Sequence, residues 1–267
     1  MTRARSAPEP ELPYGRLAEV YDQVYAGKDY RAESRRVLRW VSAHGPAHAR
    51  TLLDVGCGTG AHLKLLSERL ECVGLDASPA MLAVARRRLP HVRFVEGRME
   101  SLRLGEQFDV TTCLFSAIGY VRSEGDLRRT LRGFARHLRP GGVAVVEAWL
   151  APGAYRPGGV HLGIYGTAES PIVRMHRSER RGRRSIMDMH YLVPTPHGVR
   201  HWVERHDLGL FPPATMRRAF VAAGLRPTYY RSGLQPGRGV FVATRPVAGS
   251  ARPTTRGASS SPRPRGS

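Results

Sequence analysis

The stretch Leu52-Leu53-Asp54-Val55-Gly56-Cys57-Gly58-Thr59-Gly60 decides the fold of this 267-residue chain. Its apolar first half is typical of a buried parallel strand, and its second half is a glycine-rich turn that opens a helix. Because glycine lacks a Cβ atom, the backbone at Gly56, Gly58 and Gly60 can turn sharply and approach a ligand closely. The stretch therefore predicts a strand, a ligand-binding turn and a helix, in that order.

Strand and helix patterns alternate on both sides of this turn. The apolar spacing predicts helices at Arg31–Ala43, Ala61–Leu70, Pro79–Arg88 and Glu124–Leu138. It predicts strands at Thr51–Val55, Cys72–Asp76, Val92–Glu96, Phe108–Phe115 and Val143–Trp149. This alternation indicates an α/β protein with a doubly wound, mostly parallel sheet and helices on both faces.

The alternation stops after Trp149. A Pro/Gly-rich loop at Ala151–Gly159 leads into three strand-like runs, Ile172–Arg177, Ser185–Val193 and Val199–Leu210. We interpret these runs as an antiparallel meander inserted into the main sheet. A helix at Thr215–Ala223 follows, and two final strands, Pro227–Arg231 and Gly239–Thr244, are predicted to form a hairpin at the sheet edge.

The charge of the chain is strongly positive, with 42 basic residues against 22 acidic ones and a net charge of +20. All the basic residues except Lys28 and Lys64 are arginines, which is typical of a GC-rich genome. The charge favours anionic ligands such as nucleotides. It also motivates a non-enzymatic alternative, a nucleic-acid-binding protein, but the arginines form no stripe and no nucleic-acid motif is present.

Composition argues against several other classes. No run approaches the roughly 20 apolar residues of a membrane span, and residues 1–11 lack the apolar core of a secretory signal, so we expect a cytoplasmic protein without a membrane partner. The spacing of Cys57, Cys72 and Cys113 suits neither zinc nor a disulfide framework, so no metal is expected.

The glycine turn has the spacing GxGxG and follows Asp54 directly. It resembles motif I of the class I methyltransferases, which use S-adenosylmethionine (AdoMet). The resemblance implies a Rossmann-like fold in which Gly56, Gly58 and Gly60 lie against the amino-acid part of AdoMet and Asp54 holds its ammonium end. Asp76 ends the next predicted strand, where a carboxylate can accept both ribose hydroxyls as charge-assisted hydrogen bonds.

The adenine end of the predicted cofactor site departs from the methyltransferase pattern. Relatives usually carry an Asp where Arg98 stands, and that Asp takes the adenine amino group. A guanidinium has no acceptor, so either the amine is held otherwise or Arg98 stacks on the base. Met99 can offer its backbone N–H and its side chain to the ring, and Met81 is expected to contact the cofactor as well.

The end of the fourth predicted strand is expected to border the methyl group and the acceptor. In open α/β sheets the ligand lies over the carboxyl ends of the strands. Phe115 is therefore predicted to contact AdoMet, and Ser116 is predicted to contact the methyl acceptor.

Six blocks of sequence narrow the resemblance to a subgroup. They are Ala18-Glu19-Val20-Tyr21-Asp22, Gly27-Lys28-Asp29-Tyr30, Thr112–Ser116, Phe134–Leu138, Val203-Glu204-Arg205-His206 and Gly237–Val242. Through them the chain resembles, from about Tyr14 to Thr244, the TDP-aminosugar N,N-dimethyltransferases of actinomycete natural-product pathways. The resemblance implies methyl transfer from AdoMet to the amine of an anionic nucleotide sugar.

The same resemblance implies roles for residues outside the glycine turn. Tyr21 would close over AdoMet, and Tyr25 and Tyr30 would close over the sugar. Arg238 could reach the pyrophosphate bidentately, and Arg174 and Arg177 are weaker candidates for that contact.

Three residues are candidates for the chemistry itself. An amine must be bound unprotonated, aligned with the methyl group at about 3 Å, and relieved of a proton. Tyr120 stands where aminosugar relatives commonly carry a His, and with a reference pKa of ~10 it is a poor base. Glu147 is a better proton acceptor, and His206 is a further candidate.

We predict five regions along the chain. They are a disordered N-terminus at 1–13, an AdoMet-binding core with an N-terminal lid at 14–149, an antiparallel insertion contributing to the acceptor site at 150–210, a return to the core sheet at 211–245, and a disordered basic tail at 246–267. The strand edges of the insertion could pair two chains into a homodimer. The main alternative keeps the enzyme class and changes the acceptor to another small amine, a hydroxyl or an aglycone-linked sugar.

Overall fold

The computed structural model describes residues 14–247. The predicted disordered ends lie outside the described residues, apart from residues 246 and 247 of the tail. The helices in the described range are α1 (Tyr21–Val24), α2 (Tyr30–His44), α3 (Leu63–Leu66), α4 (Pro79–Arg88), α5 (Glu124–His137) and α6 (Pro213–Ala222). Short 3₁₀ turns lie at Leu17–Glu19, Met99–Ser101 and Ala117–Tyr120.

The strands belong to two sheets. The first contains β1 (Thr51–Val55), β2 (Glu71–Asp76), β3 (Arg93–Glu96), β4 (Phe108–Cys113), β5 (Leu138–Glu147), β10 (Arg226–Tyr230) and β11 (Val240–Thr244). The second contains β6 (Val160–Gly166), β7 (Pro171–Arg181), β8 (Arg184–Thr195) and β9 (Gly198–Gly209).

The first sheet has the order β10-β11-β5-β4-β1-β2-β3. Its strands β1 to β5 pair in parallel, and β11 runs antiparallel to both β5 and β10. Alternate residues of β1 point to opposite faces, so Leu53 enters one hydrophobic core with α5 and α6, while Leu52 enters another with α2 to α4. The predicted doubly wound sheet, with a hairpin at its edge, is confirmed.

Two predicted elements had the wrong bounds: the helix after the glycine turn and the fifth strand. The helix predicted at Ala61–Leu70 is reduced to α3, because the chain turns back to enter β2, where the Glu71 N–H donates to the Arg50 carbonyl at 2.7 Å. Strand β5 begins at Leu138 rather than Val143, and it accommodates the extra residues through a register shift opposite β4.

The second sheet is an antiparallel meander of four strands in the order β6-β7-β8-β9. The sequence pattern predicted three strands and missed β6. The apolar side chains of that strand, Val160, Leu162 and Ile164, are 66–70% exposed. A strand whose apolar residues face solvent lacks the buried run from which the other strands were recognised.

An N-terminal segment, residues 14–29, lies between the two sheets. Its buried side chains include Leu17, Tyr21 and Val24, and they pack with Met81 of α4 and Trp202 of β9 in a third hydrophobic cluster. The segment therefore joins the meander to the end of the main sheet where a ligand would bind. Between residues 14 and 247, no helix is long and apolar enough to cross a membrane.

Candidate active site

A cavity of about 740 Å³ opens at the carboxyl ends of β1 to β4 and is covered by the N-terminal segment. That volume is ample for a cofactor of nucleoside size. The predicted site residues that line it are Tyr21, Tyr30, Asp54, Gly56, Gly58, Asp76, Met81, Arg98, Met99, Phe115 and Tyr120. The predicted residues that the structure places off its wall are Tyr25, Gly60, Ser116, Glu147, His206 and Arg238.

The glycine turn brings its backbone close to the cavity. Gly56 has a φ of +75°, and a Cβ atom there would lie 2.6 Å from the Cβ of Ala117. The N–H groups of Gly56 and Cys57 donate to the Leu75 carbonyl at 2.7 and 3.1 Å, which ties the turn to the end of β2. Gly60 lies behind the turn, because a Cβ atom there would meet Leu89 at 3.3 Å.

Two carboxylates face the cavity, the buried Asp54 and the half-buried Asp76. Asp54 is 2% exposed and accepts a hydrogen bond from the Thr112 hydroxyl at 2.8 Å, and burial raises its pKa to about 6. Asp76 accepts from the N–H groups of Gly58 and Ser78, each at 2.8 Å, and burial raises its pKa as well. A buried carboxylate favours a cationic or hydrogen-bonding ligand. The pair therefore fits the ammonium group and the ribose hydroxyls of AdoMet.

The N-terminal segment is attached to the meander by Glu204 of β9. This side chain is fully buried, and its two oxygens accept the backbone N–H groups of Tyr14 at 2.9 Å and Leu17 at 2.8 Å. In the sequence, Glu204 is 190 residues from Tyr14 and 187 residues from Leu17. A charged acceptor with two amide donors is a strong, directional attachment.

A second attachment joins the segment to the glycine turn. Asp22 accepts a hydrogen bond from the Thr59 hydroxyl at 2.9 Å and forms an ion pair with Arg88 of α4. Arg88 also donates to the Thr59 carbonyl at 2.8 Å. The turn, α4 and the N-terminal segment are therefore held in one polar network.

A third attachment is a buried triad at the start of α2. Glu33 forms an ion pair with Lys28 and a 2.8 Å contact with the ring of His62, and all three side chains are less than 10% exposed. Burial acts to raise the pKa of Glu33, but the hydrogen bonds from His62 and Lys28 outweigh it and hold that pKa below its usual value. Among these residues, His62 also lines the cavity.

A hydroxyl chain links the cavity to His206. The Tyr14 and Tyr120 hydroxyls are 2.5 Å apart, and the Tyr120 hydroxyl lies 2.6 Å from Nδ1 of His206. Burial, with the nearby charge of Arg174, lowers the pKa of His206 to about 3, so its ring is neutral at neutral pH. A neutral ring can accept from Tyr120 at Nδ1. The two predicted residues are therefore in contact, although only Tyr120 reaches the cavity.

Phe115 lies on the cavity wall and contacts a cluster of aromatic and cationic side chains. Phe115 and Ser116 have φ values of +50° and +58°, a strained conformation that is concentrated at functional sites. The Phe115 ring contacts the ring of Tyr25 edge-on, with centroids 5.0 Å apart, and has Nζ of Lys28 4.7 Å from its centroid. Ser116 turns away, since its hydroxyl donates to the Ala148 carbonyl.

Glu147 lies within electrostatic reach of Arg238 and Lys28, the two cations that contact the Phe115 ring. Glu147 is fully buried, and within the described residues neither of its carboxylate oxygens has a hydrogen-bond partner. Burial raises its pKa, while the positive charges of Arg238 and Lys28 oppose the rise. The Arg238 guanidinium lies over the rings of Trp149 and Phe115, at 4.6 and 5.6 Å from their centroids.

Several residues that line the cavity were not assigned to the site from the sequence. They are Tyr14, Thr59, His62, Ser78, Glu100, Arg122, Arg205 and Asp207. Thr59, His62, Ser78 and Glu100 lie within two residues of predicted site residues, so proximity to those residues could have identified them. The others lie farther from the predicted site residues that line the cavity, apart from Arg122 near Tyr120, and no local pattern distinguishes them.

Comparison with known proteins agrees with this geometry. Residues 52–142 match the family model described as a methyltransferase domain. The chain is 39% identical over 247 residues to dTDP-3-amino-3,6-dideoxy-alpha-D-glucopyranose N,N-dimethyltransferase of Streptomyces fradiae, covering 91% of this chain and 96% of that one. It is 41% identical over 231 residues to dTDP-4-amino-2,3,4,6-tetradeoxy-D-glucose N,N-dimethyltransferase of Saccharopolyspora spinosa, covering 85% and 92% of the two chains.

A solved structure shows the same architecture. The sugar N-methyltransferase KedS8 from Streptoalloteichus superposes with a TM-score of 0.82 at 36% identity, covering 92% of this chain and 98% of that one. The fold and the glycine turn define a class I methyltransferase that uses AdoMet. Within that class, the chain belongs to the family of dTDP-aminosugar N,N-dimethyltransferases.

The close approach at Gly56 makes a first prediction. In Gly56→Ala, the new Cβ would clash with Ala117, so binding of S-adenosylhomocysteine, measured by calorimetry, should weaken at least tenfold. Gly105→Ala is the matched control, because Gly105 has a similar φ of +74° but a Cβ atom added there would have nothing within 4 Å. If the two variants bound S-adenosylhomocysteine equally tightly, the close packing of the turn against Ala117 would be contradicted.

The Glu204 attachment makes a second prediction. In Glu204→Gln, the amide presents a donor to one of the two backbone N–H groups, so the N-terminal segment should loosen. Trypsin should then cleave after Arg16 and Lys28 several times faster than in the wild type. Glu179→Gln, an exposed acid on β7, is the control. Unchanged cleavage rates in Glu204→Gln would refute the attachment.

Proposed function

We propose that this enzyme transfers methyl groups from AdoMet to the amine of a dTDP-linked aminosugar. AdoMet supplies an electrophilic methyl group on its sulfonium. The observation that carries the acceptor class is Glu147, a buried carboxylate that has no hydrogen-bond partner within residues 14–247 and lies within electrostatic reach of Arg238 and Lys28, which contact the Phe115 ring. It complements the family membership, because a carboxylate with neighbouring cations suits a cationic amine attached to an anionic nucleotide.

Glu147 is our candidate for the group that binds the sugar amine and takes its proton. A buried carboxylate without hydrogen bonds is stabilised by an incoming ammonium group. Its raised pKa brings the carboxylate nearer to the range in which a general base is effective. Tyr120, held by His206, is proposed to orient the substrate as a neutral hydrogen-bonding group, since burial raises its pKa above the ordinary value.

The two ends of the acceptor are assigned to different parts of the chain. Tyr25 and Tyr30 close the sugar side. Arg238 is proposed to reach the pyrophosphate, assisted by Arg174 of the meander, whose guanidinium donates to the Tyr25 hydroxyl at 3.1 Å. We therefore propose that the insertion at 150–210 contributes to the acceptor site, as a guanidinium binds a phosphate bidentately.

The proposed reaction is tested by incubating the protein with AdoMet and dTDP-aminosugars. The relatives named above are described as acting on a 3-amino and a 4-amino sugar, so both should be supplied. Mass spectrometry should show sugar products heavier by one or two methyl groups. Absence of any methylated product from either sugar would refute the proposal.

A binding measurement separates this proposal from the alternative acceptors. An enzyme that uses a dTDP-sugar should bind dTDP alone. An enzyme that methylates another small amine, a hydroxyl or an aglycone-linked sugar should show no such binding.

The role of Glu147 makes a third prediction. In Glu147→Gln, kcat should fall about a hundredfold, because a general base contributes at least that factor, while the affinity for S-adenosylhomocysteine should not change. In the wild type, kcat should rise with pH through the raised pKa of Glu147, because only the ionised carboxylate accepts a proton. The variant should lose this rise. Glu68→Gln, at an exposed position, is the surface control, and a Glu147→Gln variant with wild-type kcat and pH profile would contradict the role.

We also propose that two copies of the chain pair through the outer face of the meander. Register places Leu162 opposite Met175, and Ile164 opposite Val173, so an apolar surface crosses β6 and β7. Exposed apolar patches of this kind mark interaction sites. Strand β6 is also an edge strand, and it could pair with β6 of a second copy in an isologous contact.

The pairing makes a fourth prediction. Light scattering should give twice the chain mass for the wild type, and the single-chain mass for Leu162→Asp. Val221→Asp on α6 is the control, because Val221 is 56% exposed and lies outside the meander. A wild type that remains a single chain at micromolar concentrations would rule the pairing out.

A further inference from the structure

The outermost part of the cofactor cavity is the end that would hold the adenine base. The sheet order β4-β1-β2-β3 places the end of β3 farthest from the end of β4, where the methyl group is predicted to lie. Asp76 at the end of β2 is positioned for the ribose. The residues that follow β3, Gly97 to Glu100, line the cavity beyond it. An adenine attached to that ribose would therefore meet this segment.

The exocyclic amine of adenine is a hydrogen-bond donor and requires an acceptor in the wall. Arg98, at the position where an acid is expected, cannot supply one. Its side chain is 65% exposed, and its Nη2 donates to Oε1 of Glu100 at 2.9 Å. The Glu100 side chain is only 17% exposed. Within this ion pair, the Glu100 side chain is therefore shielded from solvent, whereas the Arg98 side chain is exposed to it.

The other carboxylates on the wall are already engaged elsewhere. Among the described residues, the acids that line the cavity are Asp54, Asp76, Glu100 and Asp207. Asp54 and Asp76 belong to the glycine turn and the end of β2. Asp207 accepts from Arg184 at 2.7 Å and lies 3.5 Å from Arg122. Glu100 is therefore the wall carboxylate that adjoins Met99.

We propose that the Glu100 carboxylate accepts a hydrogen bond from the adenine amine, and that Arg98 is a positioning residue that holds this carboxylate. A carboxylate has about four lone-pair sites, so the bond from Arg98 leaves capacity for a ligand donor. The acid expected at position 98 is thus replaced by an acid two residues later. This inference rests on AdoMet as the cofactor but is independent of the methyl acceptor.

The test compares two ligands that differ at the base. S-adenosylhomocysteine carries the amine, and S-inosylhomocysteine carries a carbonyl oxygen in its place, which a carboxylate would repel. Calorimetry on the wild type should favour the adenosyl ligand by at least tenfold, since a hydrogen bond to a charged group is worth about that factor. The ratio of the two affinities on one protein is insensitive to any misfolded fraction.

The variants distinguish the roles of the two residues. Glu100→Ala should lose most of the preference, and Glu100→Gln should lose or invert it, because an amide can donate to the carbonyl oxygen. Arg98→Ala should keep the preference with a smaller loss of affinity. Glu96→Gln, an exposed acid at the end of β3, is the control and should behave as the wild type.

Three outcomes would overturn the inference. The first is a wild-type preference retained in both Glu100 variants, and the second is a preference abolished by Arg98→Ala. The third is a wild-type protein that binds neither ligand, which would refute the cofactor assignment itself. None of these outcomes depends on a sugar, so a failure of the proposed acceptor leaves them unaffected.

Discussion

The hydrogen bond from the Gly58 amide to the Asp76 carboxylate is the interaction on which the site depends. It fastens the turn after β1 to the end of β2, beside the two amides that donate to the Leu75 carbonyl. With these contacts in place, the turn can approach Ala117 within the distance that only glycine permits at position 56. The shape of the cavity is therefore fixed by backbone geometry, and Asp54 and Asp76 are preorganised for a ligand rather than for solvent.

The second sheet contributes to this cavity indirectly, because it holds the N-terminal segment that covers it. Its inner face packs against the N-terminal segment through Tyr191 and Trp202, and Glu204 binds the backbone of that segment. The main sheet thus supplies the glycine turn, and the meander holds the N-terminal segment in place over the cavity. Phe115 lies on the wall of the cofactor cavity and also contacts Lys28 and Arg238, the cations nearest to Glu147.

The sequence predicted those features that are encoded locally. The parallel strands, the glycine turn and Asp76 were recognisable because each depends on residues adjacent in the chain. Glu204 was not assigned a role, because its partners lie more than 180 residues away. Strand β6 was missed because its apolar residues face outward. Gly60 was expected at the ligand, but a glycine pattern does not distinguish contact with a ligand from contact with a neighbouring side chain such as Leu89.

The N-terminal segment is attached at several places, among them Glu204, the Asp22–Arg88 pair and the Lys28–Glu33–His62 triad. Each attachment holds the others at a high effective concentration, because a segment released at one point remains tethered elsewhere. Full opening therefore requires these contacts to be lost together, and its free energy approaches their sum. The stability of the closed segment is consequently set mostly by side chains that lie outside the cofactor cavity, His62 excepted.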